Sequence, residues 1–399
     1  MRIGMLADIY KPHVSGITNY LALNKTYLEK AGHEVFIFTF GDENYPDTET
    51  NIIRSQGLPL TDTGYYLGLS YKVQARKLLY SMDIVHVHHP FVSGTLALRY
   101  CRPRGIPIIF TNHTRYDLYA QVYMPILPDI VGETIIQAYL PPFCRACDLV
   151  IAPSEGLRQI LLRLGVDAPM EVVPNGVDLK PYAKITHRVD RSSMGFEPDQ
   201  VVLVYVGRLG PEKNLPFMLR SFAGTAAAYD TIRLLLIGDG PERDNLQDLV
   251  HNLNIDDKVH FTGMVPYEEL PGFLAAADAF VTASVTEVHP LSVIEAMAAG
   301  LPVLGIISPG VSDTIEDRVT GFLASDDLAA FTAKMVLLVT DGELRGKMGE
   351  QARLASSKYD INRTTQLMIE RYTRLVNKFR GRKHTLRTRI TRLLDKWHL

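Results

Sequence analysis

Two carboxylates, Glu287 and Glu295, stand eight positions apart in the stretch Thr286-Glu287-Val288-His289-Pro290-Leu291-Ser292-Val293-Ile294-Glu295-Ala296-Met297-Ala298-Ala299-Gly300-Leu301-Pro302-Val303. Pro290 suits the start of a helix, and Gly300-Leu301-Pro302 closes it. An apolar strand over Pro302–Gly305 follows. The pattern predicts Glu287 in the loop before the helix, at its positive end, and Glu295 within it. Both reach one crevice at the end of a parallel sheet, where open α/β folds bind ligands. One carboxylate there accepts hydrogen bonds from the vicinal hydroxyls of a ribose, and the other holds the hydroxyls of a sugar. The helix N-terminus between them offers free amides and partial positive charge to a diphosphate. The chemistry is that of nucleotide-sugar recognition. On the two glutamates alone, a surface helix with unrelated carboxylates is the favoured reading; the whole eighteen-residue string changes that.

The elements that must position these groups follow a simple alternation. Strands are expected at Ile3–Ala7, Val35–Phe40, Ile84–His88, Ile108–Thr111, Leu149–Ala152 and Glu171–Val173, with periodic helical stretches such as Ile17–Ala31 and Ser154–Leu164 between them. A polar, aperiodic stretch from Lys180 to Gln200 reads as an interdomain linker. A second series opens with Val201–Val206 and continues through Leu234–Ile237, Val259–Thr262, Ala279–Thr282 and Pro302–Gly305. The fold class is therefore α/β, with two Rossmann-like, doubly wound domains facing across a cleft. The first is expected over residues 1–180, rejoined by 371–399, and the second over 181–370. Arg208 and Lys213 fall just past the first strand of the second domain, at its ligand-binding end. Gly16 lies between the first strand and first helix, where a glycine lets a phosphate approach the backbone.

The chain has 399 residues, 46% hydrophobic and 22% charged, with a formal net charge of −2. That balance gives no overall bias toward nucleic acid or membrane. No signal peptide or spanning apolar run is visible, and three cysteines fit a reducing compartment. Cys144 and Cys147 form a Cys-x-x-Cys without a second pair, so they read as core residues rather than a zinc site. His86, His88 and His89 cluster, but two of them alternate with apolar residues on a strand, and a metal site is not expected. No Asp-x-Asp is present to hold a divalent ion.

The Glu287–Glu295 stretch resembles the Glu-x7-Glu signature of the retaining glycosyltransferases of family four, which have the GT-B fold. Val173-Pro174-Asn175-Gly176-Val177-Asp178, Val206-Gly207-Arg208-Leu209 with Glu212-Lys213-Asn214, Ile237-Gly238-Asp239-Gly240-Pro241 and Phe261-Thr262-Gly263 lie in the order that family uses. The resemblance spans roughly residues 1 to 375. It implies that Arg208 and Lys213 hold the donor diphosphate, and that Gly16, His289, Leu291 and Glu295 also belong to the donor-binding site. It also implies that His113 and Glu287 act at the donor sugar, with transfer retaining the anomeric configuration and no metal or other cofactor. Two departures stand out. Ser15 replaces the first of the two glycines many members carry before the first helix. His289-Pro290-Leu291 replaces the usual Phe-Gly-Leu, and Pro290 has no amide hydrogen to offer a ligand.

Thr111-Asn112-His113-Thr114-Arg115-Tyr116-Asp117-Leu118-Tyr119 looks like the His-Thr-x-Tyr-x-x-Tyr pattern of the diacylglycerol glucosyltransferase branch. Tyr65–Lys72 and Tyr123–Pro128 add aromatic and apolar residues suited either to an acceptor path or to plain core. From Arg371 to Leu399 the chain carries ten Lys or Arg and one acidic residue, Asp395. Arg387, Arg389 and Arg392 sit beside Ile390, Leu394 and Trp397 in helical spacing, a basic amphipathic pattern that binds anionic lipid surfaces. The expectation is an enzyme, cytoplasmic and peripheral on the inner face of the cell membrane. It moves a hexose, most simply glucose from UDP-glucose, to a lipid such as diacylglycerol. The alternatives are a mannosyltransferase acting on phosphatidylinositol or a polysaccharide precursor, a hydrolysing sugar-nucleotide epimerase, and a non-catalytic nucleotide-sugar-binding membrane protein. Nucleic acid is not an expected partner.

Overall fold

The computed structural model describes residues 1–13, 15–59, 66–116, 118, 129–185 and 187–381. It divides into two compact units. One is built from the described residues up to Gly176 together with residues 361–381. The other is Val177–Asp360.

The first unit contains β1 (Arg2–Leu6), β2 (Glu34–Phe40), β3 (Ile52–Ser55), β4 (Leu58–Pro59), β5 (Tyr66–Leu67), β6 (Ile84–Val87), β7 (Ile108–Thr111), β8 (Leu149–Ala152) and β9 (Met170–Val172). Among the described residues, seven of these form a parallel sheet of order β3-β2-β1-β6-β7-β8-β9, while β4 and β5 pair antiparallel. The central strands are buried on both faces, and so they read as continuous apolar runs. The helix Gly16–Lys30 starts at Ser15, whose hydroxyl accepts from the Thr18 amide while the Ser15 amide donates to Thr18 Oγ1 at 2.8 Å. The serine that departs from the two-glycine pattern is thus a reciprocal helix cap, an arrangement that stabilises a helix by about 1 kcal/mol.

The helix Ile361–Arg380 buries Ile361, Thr364, Thr365, Met368, Tyr372, Leu375 and Val376, a three-and-four spacing that gives one apolar face. Met368, Tyr372, Leu375 and Val376 join Ile3, Met5, Leu21 and Leu28 in the first unit's core. Arg371 pairs with Glu171 at 3.0 Å, and Arg380 with Asp83 at 2.9 Å.

The second unit contains β10 (Val201–Val206), β11 (Ile232–Ile237), β12 (Val259–Gly263), β13 (Ala279–Thr282), β14 (Val303–Ile306) and β15 (Gly321–Ala324). They form a parallel sheet of order β12-β11-β10-β13-β14-β15. The stretch Lys180–Gln200, expected as a linker, belongs to this unit. It contains the short helix Lys180–Ala183, and it buries Tyr182, Met194 and Phe196 in the same core as Val202, Val204 and Phe280. Its apolar residues are too sparse to show a period, yet they are enough to anchor it. The units accordingly part at Gly176/Val177 and Asp360/Ile361, against the sequence-based 180 and 370. The second boundary falls where the continuous helix Ile361–Arg380 begins.

Candidate active site

In an open parallel sheet, ligands sit outside the carboxyl ends of the strands, where the strand order reverses and neighbouring loops part. In the second unit this point lies between β10 and β13. The loop after β10 carries Arg208 and then the tight turn Pro211–Lys213. The loop after β13 carries Glu287. Lys213 Nζ donates to Glu287 Oε1 at 2.7 Å across the switch point. Burial opposes the Lys213 charge, yet the Glu287 carboxylate, followed by Tyr205 and Glu212, outweighs it, and the ammonium's pKa stands above its ordinary value. The lysine is a permanent cation here.

The loops are tied to one another. Ser284 and Thr286 hydroxyls both donate to the Glu212 carbonyl at 3.3 Å. The Gly310 amide donates to the Glu287 carbonyl at 3.1 Å. A Cβ on Gly310 would meet the Val288 backbone at 2.4 Å, so only glycine permits this approach. On the other side, Gly238 has φ +135°, and a Cβ there would lie 2.0 Å from the Gly207 carbonyl oxygen. Arg208 is half-exposed, with Nη1 3.6 Å from the buried Glu212 carboxylate.

Pro290 caps the helix Leu291–Ala298. The helical ladder begins with the Ile294 amide donating to the Pro290 carbonyl at 3.3 Å, so the amides of Leu291, Ser292 and Val293 have no partner within the helix. Replacing the family's glycine by Pro290 removes one amide and leaves these three. His289 is buried with its ring edge-on to Tyr359, 5.0 Å between centroids, and burial followed by Lys358 lowers its pKa to about 3. Glu295 is buried and accepts from Tyr267 Oη at 2.9 Å. Burial raises its pKa to about 7, with the tyrosine hydrogen bond opposing.

In the first unit the switch point lies between β1 and β6. Asp8 bridges it, its amide donating to His89 Nδ1 at 3.2 Å and its Oδ1 accepting from the Ser93 amide at 2.6 Å. Gly16 is the first residue of its helix, and a Cβ there would meet nothing within 4 Å. His113 follows β7, and its Nε2 lies 3.0 Å from His88 Nδ1. His86 is hydrogen-bonded on both ring nitrogens, to Tyr372 Oη and Thr111 Oγ1, each at 2.7 Å. These histidines bond to one another and to hydroxyls; among the described residues no three His, Cys, Asp or Glu side chains converge as a metal ligand set. Cys144 and Cys147 are buried free thiols, Cys144 pushed up to about 12 by burial.

The structure thus brings Lys213 to Glu287, with Arg208 on the same loop as Lys213 and the first turn of the helix Leu291–Ala298 following Glu287 along the chain. It also adds Tyr267, Ser284 and Gly310, which the sequence reading passed over; of these three only Gly310 had a legible signal, a Pro-Gly after an apolar strand. Glu212, Thr286 and His88 were named in the sequence without a part in this site, and the structure gives them one. Arg387, Arg389, Ile390, Arg392, Leu394 and Trp397 lie outside the described residues, as do Asp117, Tyr119 and Tyr123–Pro128. Tyr71 is plain core, stacked on Phe40 at 5.2 Å. No described helix is long and apolar enough to cross a membrane.

Comparison with known proteins agrees with this fold. The family of glycosyl transferases group 1 matches residues 187–355, and Glycosyltransferase Family 4 matches residues 14–181. The chain is 32% identical to an alpha-monoglucosyldiacylglycerol synthase of Streptococcus pneumoniae, over 86% of this chain and 79% of that protein. It is 26% identical to the protein of the same name from Acholeplasma laidlawii, over 90% and 93%. Sulfoquinovosyl transferase SQD2 of Arabidopsis thaliana is 29% identical over 93% of this chain and 73% of its own length. Among solved structures, a sucrose-phosphate synthase from Thermosynechococcus elongatus superposes with a TM-score of 0.78 at 22% identity, covering 94% of this chain and 99% of that one. Anabaena HepE in complex with UDP and glucose gives 0.75 at 18%, again over 94% and 99%.

Proposed function

From a chain that belongs to glycosyltransferase family 4 and has the GT-B fold, we propose a retaining glucosyltransferase that moves glucose from UDP-glucose to diacylglycerol. The observation that carries this reading is the Lys213–Glu287 pair at the second unit's switch point, on loops that also carry Arg208 and lead into the helix Leu291–Ala298.

As the glycosidic bond breaks, negative charge gathers on the departing diphosphate. Arg208, Lys213 and the helix amides supply positive charge that needs no reorganisation at that moment. They do so without a divalent ion. Glu295 holds the ribose hydroxyls. Glu287, kept in place by Lys213, positions the sugar hydroxyls, and His113 acts at the same sugar. The acceptor hydroxyl attacks from the face the diphosphate leaves, and the leaving phosphate takes its proton. A UDP-glucose donor carries an α-linked phosphate, so retention yields an α-glucoside. The two alpha-monoglucosyldiacylglycerol synthases carry the same anomer in their names.

The lipid half of the proposal is supported by a cavity of about 350 Å³ in the first unit, lined by Gly68, Leu69, Phe91, Val92, Leu96 and Tyr139. Leu69 and Phe91 are exposed there, and apolar surface of this kind suits acyl chains. The basic segment Arg387–Trp397 would hold the enzyme peripherally to the anionic inner face of the cell membrane.

Purified protein, liposomes of anionic lipid and diacylglycerol, and UDP-glucose, UDP-galactose or GDP-mannose in separate reactions test the whole statement, with product lipid weighed by mass spectrometry. Glucosyldiacylglycerol with the α-anomer by NMR is the expected product, undiminished by a chelator. A β-anomer overturns retention. Nucleotide binding without any lipid product removes the acceptor assignment.

A further inference from the structure

The geometry around His113 carries one step more. His113 Nε2 and His88 Nδ1 are 3.0 Å apart, with ring centroids at 5.3 Å and planes at 22°. Tyr20 packs edge-on against His113 at 4.8 Å, fixing the ring from another side. With Nε2 turned to His88, Nδ1 is the nitrogen left for a ligand.

A neutral imidazole has one N–H and one lone pair. Burial pushes the pKa of both rings well below the ordinary histidine value, so both are neutral near pH 7. Their shared hydrogen bond therefore runs in one of two senses. If His113 Nε2–H donates, His88 must carry its own proton on Nε2. If His88 Nδ1–H donates, His88 Nε2 is a bare lone pair and His113 carries its proton on Nδ1. His88 Nε2 is buried and has no hydrogen-bond partner among the described residues. The first sense buries an orphaned N–H, which folded proteins almost never tolerate. The second buries only an unused acceptor. His86 does not bias the choice, because both of its nitrogens meet rotatable hydroxyls that adapt to either tautomer.

We propose that His88 is a positioning residue that locks His113 in the Nδ1–H tautomer, so that His113 presents a hydrogen-bond donor, and not a general base, to an oxygen of the donor sugar. The sugar-facing half rests on the glucosyltransferase reading above; the tautomer half does not.

The test is ¹⁵N-histidine NMR of the full-length protein, with His113 assigned by its loss in His113→Asn. The expected spectrum shows Nδ1 protonated and Nε2 bare. A proton on Nε2 overturns the proposal directly, whatever the activity. Kinetics on two variants add the functional arm. His88→Leu removes the donor and should lower kcat roughly tenfold, the worth of one hydrogen bond, with nucleotide affinity unchanged. His88→Asn keeps an N–H near the Nδ1 position and should recover most of that loss. A His88→Leu protein that loses only thermal stability, with kcat intact, sinks the positioning role. Absence of any glycosyl transfer by the wild type removes the sugar-facing half with the functional reading, while the tautomer stands or falls on the spectrum.

Discussion

Lys213 and Glu287 neutralise one another across 74 residues of chain, and each is needed for the other's place. Lys213→Ala removes the charge facing the diphosphate and leaves Glu287 without its partner. Turnover should fall on the order of 100-fold, the usual loss for one preorganised transition-state donor. The fold should stay intact but melt at a lower temperature, because Glu287 is left largely buried without its cation. Unchanged turnover would remove Lys213 from the mechanism. Glu295 makes a prediction in pH. Its carboxyl is raised to about 7 by burial, while in the unfolded chain it titrates near the ordinary carboxylate value. Below that ordinary value both states are protonated and folding pays no penalty. As pH rises toward about 7 the unfolded state ionises first, so stability is lost across that window and stays lower above it. Glu295→Gln should abolish the loss and gain on the order of 3 kcal/mol over wild type at pH 8, read from denaturant melts at both pH extremes. Ribose hydroxyls that donate to Glu295 favour its ionised form. UDP binding should therefore release a proton between about pH 5 and 7 and tighten as pH rises. Titration calorimetry in buffers of different ionisation enthalpy reads this, and no proton release would detach Glu295 from the ribose. The spacing of Glu287 and Glu295 was legible in the sequence. Their partners Lys213 and Tyr267 were not, since nothing local to a glutamate says which distant side chain will face it.

The loops at the switch points depend on glycines for opposite reasons, and substitution separates them. Gly238 sits at φ +135° with the Gly207 carbonyl where a Cβ would go. Gly238→Ala should destabilise the second unit by about 2–3 kcal/mol, measured by urea unfolding. Gly16 has open space above it and a helical backbone capped by Ser15. Gly16→Ala should leave unfolding within about 1 kcal/mol of wild type while weakening turnover. Loss of stability there would mean that the glycine serves the fold rather than a ligand. Helix boundaries were readable to within a residue or so where caps were clear, as at Ser154, whose hydroxyl accepts from the Leu157 amide. The supposed linker was misread because Tyr182, Met194 and Phe196 dock singly, without the repetition that marks an element.

At the scale of the whole chain, the helix Ile361–Arg380 is the element that rejoins the first unit, and the Tyr372–His86 hydrogen bond at 2.7 Å ties it to β6. For the basic tail beyond it the proposed task is membrane binding. Truncation after Gly381 should preserve melting and turnover on detergent-dispersed acceptor, while binding to anionic liposomes falls and loses its salt sensitivity. Equal liposome binding by the truncated protein would move the membrane contact elsewhere. Sequence alone was enough for the alternation of strands and helices. Ile108–Thr111, Leu149–Ala152, Val201–Val206 and Ala279–Thr282 stand where they were expected, because apolar runs and their breakers act over a few residues. The edge strands β3 and β15 were missed, since Ile52–Ser55 ends in Arg-Ser and Gly321–Ala324 opens on glycine, and each gains its place by pairing with β2 or β14. Tertiary structure alone decided which side chains meet: Lys213 with Glu287, Tyr267 with Glu295, His88 with His113. Those contacts bridge separations of 25 to 74 residues, and at such distances the chain's local chemistry sets no pairing until each sheet has formed and gathered its own carboxyl-end loops.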